Sequence, residues 1–341
     1  MTILFKAMVQ LGAVSAILLS LANFSFANTS IKPDFVVACS IVQRHCDLIA
    51  QSFSKFAHLN IATVKFSSGR MFEELSSVNN DIDAWIGGTA EHHLLAAKNK
   101  LTRRIFPTDL RSLVEWSVDV WKNSDNRAIA LYSGTLGLVS NTKLLRIKDI
   151  QAPECWSDLA IATYKQDIIL PNPNKSGTGY MLIGSLYQIY GHKEAKDLFR
   201  KISGNIKQQI GSGHDALLTI ANGEATVGVG FAHDVKVLQE EGYDIRFINP
   251  CEGGSQEIGA VSLSSQSNKK VIGDLFIDFV LSENLQNELA NSNFYQSLSN
   301  INTRSSKIYT EDFPGKSIDY QMYFFGQDQI RKDILRYWNE S

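Results

Sequence analysis

Short apolar runs alternate with stretches of helical periodicity along most of this chain. The first three runs have the length and composition of buried strands, and they lie at Phe35–Ala38, Ile61–Phe66 and Asp83–Ile86. Each run precedes a stretch whose apolar residues recur at helical spacing, over 41–57, about 70–78 and about 91–100. This order of strands and helices predicts an α/β fold, in which a mostly parallel sheet is covered by helices on both faces.

The same alternation resumes after two expected strands at 128–133 and 137–140. From Pro153 onward, strands are expected at 168–170, 206–210, 226–231 and 245–248, and helices at 179–190, 193–203, 215–222 and 233–241. A turn-rich break at 249–254 precedes a strand at 259–264 and a helix at 270–281. The length suits two domains, and the stretch from about 305 has no assignment.

Four turns rich in glycine and hydroxyl side chains each lead from the end of an expected strand into an expected helix. Helix N-termini carry unpaired N–H groups and partial positive charge, so such a turn can hold an anion. Ligands of open α/β sheets also bind beyond the carboxyl ends of the strands. The turns therefore indicate a cleft that grips a small anion from both halves of the chain. They are Ser67–Arg70, Gly87–Thr89, Ser176–Gly179 and Gly211–His214.

The first 27 residues have the pattern of a cleaved signal peptide. One positive charge (Lys6) precedes an apolar run over about 8–21, and Ser25-Phe26-Ala27 forms a small-x-small cleavage site. The alternative is a transmembrane anchor, but the run contains Gln10 and is shorter than the roughly 20 apolar residues that a span needs. The residue directly after the cleavage site is not a cysteine, so no lipid anchor is expected. We expect export to a periplasm.

Net charge excludes some classes of partner, and the number of cysteines indicates the redox compartment. The formal net charge of −2 argues against nucleic acid or an anionic membrane as a partner. The four cysteines are even in number, as expected for disulfides in an oxidising compartment, and they permit three pairings. A zinc site is disfavoured because no CxxC or HxxxH spacing occurs. The cysteines are Cys39, Cys46, Cys155 and Cys251.

An ordered set of short segments resembles periplasmic substrate-binding proteins of ABC transporters, in the branch that includes ferric-ion, sugar-phosphate and phosphonate binders. Each segment is weak alone, but together they cover most of the chain from about 35 to 300. The matching segments are 38–40 (ACS), 67–69 (SSG), 83–89 (DAWIGGT), 155–159 (CWSDL), 171–180 (PNPNKSGTGY), 222–224 (NGE), 231–234 (FAHD), 250–253 (PCEG) and 257–259 (EIG).

The resemblance implies a type 2 periplasmic binding fold, with two α/β lobes joined by two crossover strands. Residues 28–138 and 252–341 would form the first lobe, with 305–341 uncertain, and 139–251 would form the second. Cys155 and Cys251 would then lie near the crossings, which favours the pairing 39–46 with 155–251. Such proteins are monomers that close around a solute and deliver it to an inner-membrane ABC permease. The resemblance implies no cofactor and no catalysis.

The residues after the strand at 226–231 bear on the choice of solute. Ferric-ion binders of this family have two adjacent tyrosines there, whereas this chain has Ala232-His233-Asp234. The related sugar-phosphate binders look similar at this position. We therefore expect a small anionic solute, a sugar phosphate or an organophosphonate, with ferric iron as the alternative. A secreted hydrolase is disfavoured because no G-x-S-x-G motif occurs.

The expected site has an anion-binding part and a part that reads the remainder of the solute. Backbone N–H groups and hydroxyls at 67–70, 88–89 and 176–178 would hold the phosphate. His233, Asp234 and Glu252 would read hydroxyls or an amine. The alternatives are that the turn residues only cap helices, and that Glu252 is a hinge residue. His92 and His93 are expected on a solvated helix face. The expected ligand-binding residues are Ser40, Ser67, Ser68, Gly69, Gly88, Thr89, Ser176, Gly177, Thr178, His233, Asp234 and Glu252.

Overall fold

The computed structural model describes residues 32–303 and 315–341, so the expected signal segment lies outside the described residues. The strands are β1 (Phe35–Ser40), β2 (Ile61–Lys65), β3 (Ala84–Thr89), β4 (Ile129–Asn141), β5 (Ile168–Pro171), β6 (Ile206–Ile210), β7 (Val227–Phe231), β8 (Ile245–Ile248), β9 (Gly254–Leu263), β10 (Ser297–Leu298) and β11 (Ser317–Ile318).

The helices follow the expected alternation, with additional ones between 115 and 148 and beyond 283. They are α1 (Gln43–Ala57), α2 (Ser68–Ser76), α3 (Ala90–Lys98), α4 (Glu115–Asn123), α5 (Thr142–Lys148), α6 (Gly177–Ser203), α7 (Gly213–Ala221), α8 (Ala232–Glu240), α9 (Lys270–Leu281), α10 (Glu283–Ala290), α11 (Met322–Phe325) and α12 (Asp328–Asn339). A 3₁₀ turn spans Trp156–Ala160. Helix α6 is interrupted at Gly191, which has a positive φ of 75° and separates the two helices expected there. No helix in the described ranges has both the length and the apolarity needed to cross a bilayer.

The sheet consists of two parallel parts connected by two long antiparallel strands. Its order is β2-β1-β3-β9-β4-β7-β5-β6. Strand β1 pairs in parallel with β2 and β3, and β5 pairs in parallel with β6 and β7. Strands β4 and β9 run antiparallel to each other between these parts. This is the α/β architecture expected for a two-lobed periplasmic binding fold.

Strand β4 is continuous over 13 residues, whereas the sequence predicted two separate strands at 128–133 and 137–140. The prediction was wrong at Gly134, Thr135 and Leu136. These residues keep strand conformation because they pair with 255–257 of β9. The later part of β4 pairs with β7 and β8. Strand β4 therefore passes from one part of the sheet to the other.

Each parallel part has its own apolar core. In the first, Phe35, Phe53 and Phe276 pack with ring centroids 5.0–6.1 Å apart. The second is built around large buried side chains that include Trp156 and Tyr180. Burial of such aromatic residues is a dominant source of stability in each lobe.

The C-terminal segment packs on the second core, not the first. Trp338 of α12 contacts Phe199 of α6 with ring centroids 5.5 Å apart, and both side chains are buried. The sequence left the assignment of 305–341 to the first lobe uncertain, and these contacts favour the second. The same segment also reaches the first part of the molecule, because Gly326 lies against the backbone of α3 at Glu91.

Both expected disulfides are present. One joins Cys39 at the end of β1 to Cys46 in α1, and the other joins Cys155 to Cys251. The second bond links the loops that precede the 3₁₀ turn at 156–160 and strand β9. The pairing leaves these four sulfurs unavailable as zinc ligands.

Candidate functional site

Helices α2, α3, α6, α7 and α8 all begin at one cleft, whose volume is about 350 Å³. Each of them follows the carboxyl end of a strand, where the unpaired N–H groups of a helix N-terminus are available to a ligand. The cleft brings together ten of the twelve expected residues. These are Ser40, Ser67, Ser68, Gly88, Thr89, Ser176, Gly177, Thr178, His233 and Asp234.

The hydroxyls of Ser68 and Thr89 meet the start of α6 at one end of this cleft. A Cβ atom at Gly177 would lie 2.8 Å from Ser68 Oγ and 2.8 Å from Thr89 Oγ1. A Cβ atom at Gly88 would overlap Ser68 Oγ, and Gly88 also has a positive φ of 77°. Glycine is therefore needed at both positions so that backbone and hydroxyl groups from different elements can come this close.

Several donors at this end already have protein partners. The Gly88 N–H donates to Tyr132 Oη at 3.2 Å, and the Thr89 N–H donates to Ser68 Oγ at 3.4 Å. Ser176 Oγ caps α6 by accepting from the Gly179 N–H at 3.4 Å. The hydroxyl protons of Ser68 and Ser176 are not used in these bonds, because both oxygens act as acceptors, so they can point to an anion.

Gly69 does not line the cleft, contrary to expectation. Its N–H donates to the Lys175 carbonyl at 3.1 Å, and Ser67 Oγ donates to the same oxygen at 2.7 Å. A Cβ atom at Gly69 would lie only 2.8 Å from the Lys175 carbonyl carbon. Gly69 therefore allows α2 to touch the loop before α6, and its N–H group is not free for a ligand.

The other end of the cleft has a buried polar cluster. His233 Nε2 lies 3.6 Å from Asp234 Oδ1 and 3.9 Å from Glu257 Oε2, and the His233 ring stacks on Phe231. Gly134 on β4 makes room for this cluster, since a Cβ atom there would lie 2.7 Å from His233 Nδ1. His233 Nδ1 and Glu257 Oε2 have no hydrogen-bond partner among the described residues.

Burial decides the charge of this cluster. It lowers the pKa of His233, and it raises the pKa of Glu257 well above the ordinary value with help from the negative charge of Asp234. Burial also raises the pKa of Tyr132 well above its ordinary value. These shifts favour the neutral forms of the three side chains, which can donate or accept hydrogen bonds and so suit ligand hydroxyls.

Several lining residues were missed by reasoning from sequence. Glu257 lies in the middle of β9 and reaches the cleft only because β9 pairs with β4 at Gly134. Lys65 ends β2, and its amine donates to the Ile41 carbonyl, while burial lowers its pKa. The turn at Gly211–His214 was recognised but not assigned to the site, and it also lines the cleft.

Glu252 lies outside the cleft, so the structure does not bring it together with the other expected site residues. Its carboxylate accepts from the Trp156 N–H at 2.8 Å and the Ser157 N–H at 3.4 Å, and from the Tyr190 hydroxyl. A carboxylate at the N-terminus of a short helix satisfies unpaired N–H groups. The alternative interpretation, a residue near the hinge, agrees with this position.

The expected solvated face at His92 and His93 is also wrong, because both rings are buried. His93 stacks on Trp85 and bonds to Ser262 Oγ and the Gly87 carbonyl. His92 Nδ1 lies 3.0 Å from Thr89 Oγ1. Helix α3 is covered on both sides, by the sheet and by the C-terminal segment, which sequence periodicity alone did not reveal.

Comparisons with known proteins agree with this architecture. An uncharacterized protein of Haemophilus influenzae is 28% identical over 331 residues, which cover 96% of this chain and 95% of that protein. The periplasmic binding protein AfuA of Actinobacillus pleuropneumoniae, solved with exogenous fructose-6-phosphate bound, is 29% identical with a TM-score of 0.84, over 90% of this chain and 97% of that one.

Iron-bound HitA of Pseudomonas aeruginosa has the same fold, with a TM-score of 0.72 and 14% identity over 90% of this chain and 98% of that one. The family model described as bacterial extracellular solute-binding protein matches residues 97–331. This match covers more than half of the chain and includes residues from both lobes. The chain belongs to the family of bacterial extracellular solute-binding proteins.

Proposed function

We propose that this protein binds a sugar phosphate in the cleft and delivers it to an inner-membrane ABC permease. The observation that carries the proposal is the division of the cleft into two chemically different ends. Hydroxyls and helix N-termini meet at Gly177, and a buried polar cluster surrounds His233. A molecule with a phosphate on a hydroxylated body matches both ends.

The phosphate is assigned to the end formed by Ser68, Thr89 and Gly177. Hydroxyl protons and N-terminal N–H groups are suitable donors for phosphate oxygens, and the partial positive charge of several helix starts favours a dianion. Lys65 and Arg70 also line the cleft. Arg70 is paired with Glu73 and Glu74 of its own helix, so we assign it no direct contact.

The hydroxylated body is assigned to the end formed by His233, Asp234 and Glu257. The unpartnered His233 Nδ1 and Glu257 Oε2 atoms are costly when buried, and ligand hydroxyls would satisfy them. AfuA, which shares 29% of its residues with this chain, was solved with a hexose phosphate bound. That similarity supports a hexose phosphate over an organophosphonate.

Ferric iron fits the cleft less well. The likeness to HitA, at 14% identity, supports the shared fold alone. Tyr132 is the one tyrosine among the described residues that line the cleft, and burial raises the pKa of its hydroxyl well above the ordinary value. Both the raised pKa and the replacement of the adjacent tyrosines by His233 and Asp234 disfavour phenolate coordination.

We further propose that the protein works in the periplasm as a monomer, after cleavage behind Ala27 and without a lipid anchor. Two disulfides are consistent with an oxidising compartment. Mass spectrometry of the protein recovered from a periplasmic extract tests this assignment. An N-terminus at Asn28 and a monomeric mass on size exclusion are the expected results.

Calorimetric titration of the metal-stripped protein tests the ligand assignment. We expect binding of fructose 6-phosphate, much weaker binding of fructose and inorganic phosphate, and no heat from ferric citrate. Ser68→Ala should lower the affinity for the phosphorylated ligand by about tenfold to a hundredfold, because one charge-assisted hydrogen bond is lost. Ser76→Ala is the matched control, since Ser76 lies on the exposed end of the same helix.

The outcomes separate the candidate functions. Equal affinities of the Ser68 and Ser76 variants would remove Ser68 from the anion site. Binding of ferric citrate alone, with a coloured complex, would replace the proposal by iron transport. Release of inorganic phosphate from fructose 6-phosphate by the purified protein would indicate a hydrolase instead.

A further inference from the structure

A second polar cluster lies behind the phosphate end of the cleft. It contains the buried side chains of His92 on α3 and Tyr180 on α6, and the partly buried Arg331 on α12. The Arg331 guanidinium lies 4.2 Å from the centre of the Tyr180 ring, and the His92 ring stands edge-on to the same ring at 5.7 Å. His92 is 1% exposed, so the cluster is closed to bulk solvent on this side.

The cluster touches the cleft at a single bond. His92 Nδ1 lies 3.0 Å from Thr89 Oγ1, and Thr89 lines the cleft opposite Gly177. The other ring nitrogen, Nε2, is buried and has no hydrogen-bond partner among the described residues. The direction of the bond between His92 and Thr89 therefore depends on which nitrogen carries the proton.

A neighbouring carboxylate favours the proton on Nδ1. Glu91 Oε1 lies 3.7 Å from Nδ1, and a carboxylate oxygen would repel an unprotonated nitrogen with its lone pair. Burial and the positive charge of Arg331 lower the pKa of His92 to about 4, so the ring carries a single proton at neutral pH. With that proton on Nδ1, the lone pair is on Nε2.

We infer that His92 is a positioning residue, which donates from Nδ1 to Thr89 Oγ1 and so turns the Thr89 hydroxyl proton toward the bound phosphate. This inference rests on the proposed function, because it requires an anion opposite Thr89. With its oxygen occupied by His92, Thr89 offers the cleft a donor and not an acceptor.

The inference predicts a specific coupling between two side chains. His92→Leu should lower the affinity for fructose 6-phosphate by about tenfold, the effect of one net hydrogen bond. It should leave the weak binding of fructose unchanged. His92→Asn should retain most of the affinity, because the asparagine amide can donate from near the Nδ1 position. In a Thr89→Val background, His92→Leu should cause no further loss.

Nitrogen NMR of the ¹⁵N-histidine-labelled wild-type protein gives a second readout that needs no variant to fold. The expected signal is an imidazole protonated on Nδ1 at neutral pH. A ring protonated on Nε2, or independent losses from the two substitutions, would overturn the positioning role while leaving ligand binding intact. Wild-type protein that binds no phosphorylated sugar would instead overturn the proposed function, and this inference with it.

Discussion

Two carboxylic acids approach the His233 ring from different elements, Asp234 on α8 at 3.6 Å and Glu257 on β9 at 3.9 Å. Their environments differ, because Glu257 is 3% exposed and feels the negative charge of its neighbours. Burial and like charge both disfavour ionisation. At the scale of the residue, the pKa of Glu257 is therefore raised, which favours its protonated form.

Glu257→Gln tests this state through stability. For a carboxyl whose pKa is raised on folding, the unfolded chain loses its proton first as pH rises, so the wild-type protein loses stability above about pH 4.5. The glutamine variant lacks this loss. We expect its free energy of unfolding to equal that of wild type near pH 4 and to exceed it at pH 8.

Urea unfolding at both pH values measures the difference. Comparing the two proteins at each pH removes the contribution of the buried histidines, which is common to both. A glutamine variant that is less stable than wild type at pH 8 would show that Glu257 is ionised in the folded protein.

At the scale of the element, the C-terminal helix α12 packs behind the phosphate end of the cleft. It buries Ile334 and Trp338 in the second core and carries Arg331 to the ring of Tyr180. Its exposed face has intrahelical pairs such as Arg336 with Asp333. The apolar contacts should therefore carry its contribution to stability, since exposed pairs contribute little.

Trp338→Ala should lower the free energy of unfolding by about 3–5 kcal/mol, the usual effect of removing a buried tryptophan. Asp333→Ala, five residues earlier on the exposed face, should change it by less than about 1 kcal/mol. Denaturant unfolding of the two variants checks both values. A small effect of Trp338→Ala would mean that α12 contributes little to the second core.

The helices and strands were largely predictable from sequence, but the segments that pack against them were not. Strand ends followed by Ser, Thr and Gly predict helix starts from local chemistry, and the positions of Thr89 and Ser176 illustrate this. Glu257 could not be assigned because it reaches the cleft through its register with Gly134, a non-local pairing. His92 was misplaced because α3 is covered by a segment 230 residues later, for which the sequence offered no pattern.

At the scale of the whole molecule, the two sides of the cleft touch where α2 meets the loop before α6. Gly69 is needed there, because a Cβ atom would lie 2.8 Å from the Lys175 carbonyl carbon. Strands β4 and β9 connect the two parts of the sheet and are the elements about which the lobes can move. Contact at Gly69 should therefore depend on closure.

Gly69→Ala should hold the lobes apart and lower the affinity for fructose 6-phosphate. It should not lower the midpoint of thermal unfolding. Small-angle X-ray scattering with and without fructose 6-phosphate measures closure as a decrease in radius of gyration. Gly204→Ala is the control, since a Cβ atom there would lie no closer than 3.4 Å from its neighbours. A Gly69 variant that closes like wild type would assign the contact no role in closure.

The Lys175 carbonyl receives two hydrogen bonds across the cleft, from Ser67 and Gly69. At about 1 kcal/mol each, they would favour the closed arrangement by roughly thirtyfold over one in which both are lost. Such a preference is small enough for a membrane partner to reverse with modest contacts of its own. We therefore expect ligand release to require no unfolding of any helix or strand. We also expect the ligand-free protein to adopt the open form often enough to bind a new ligand.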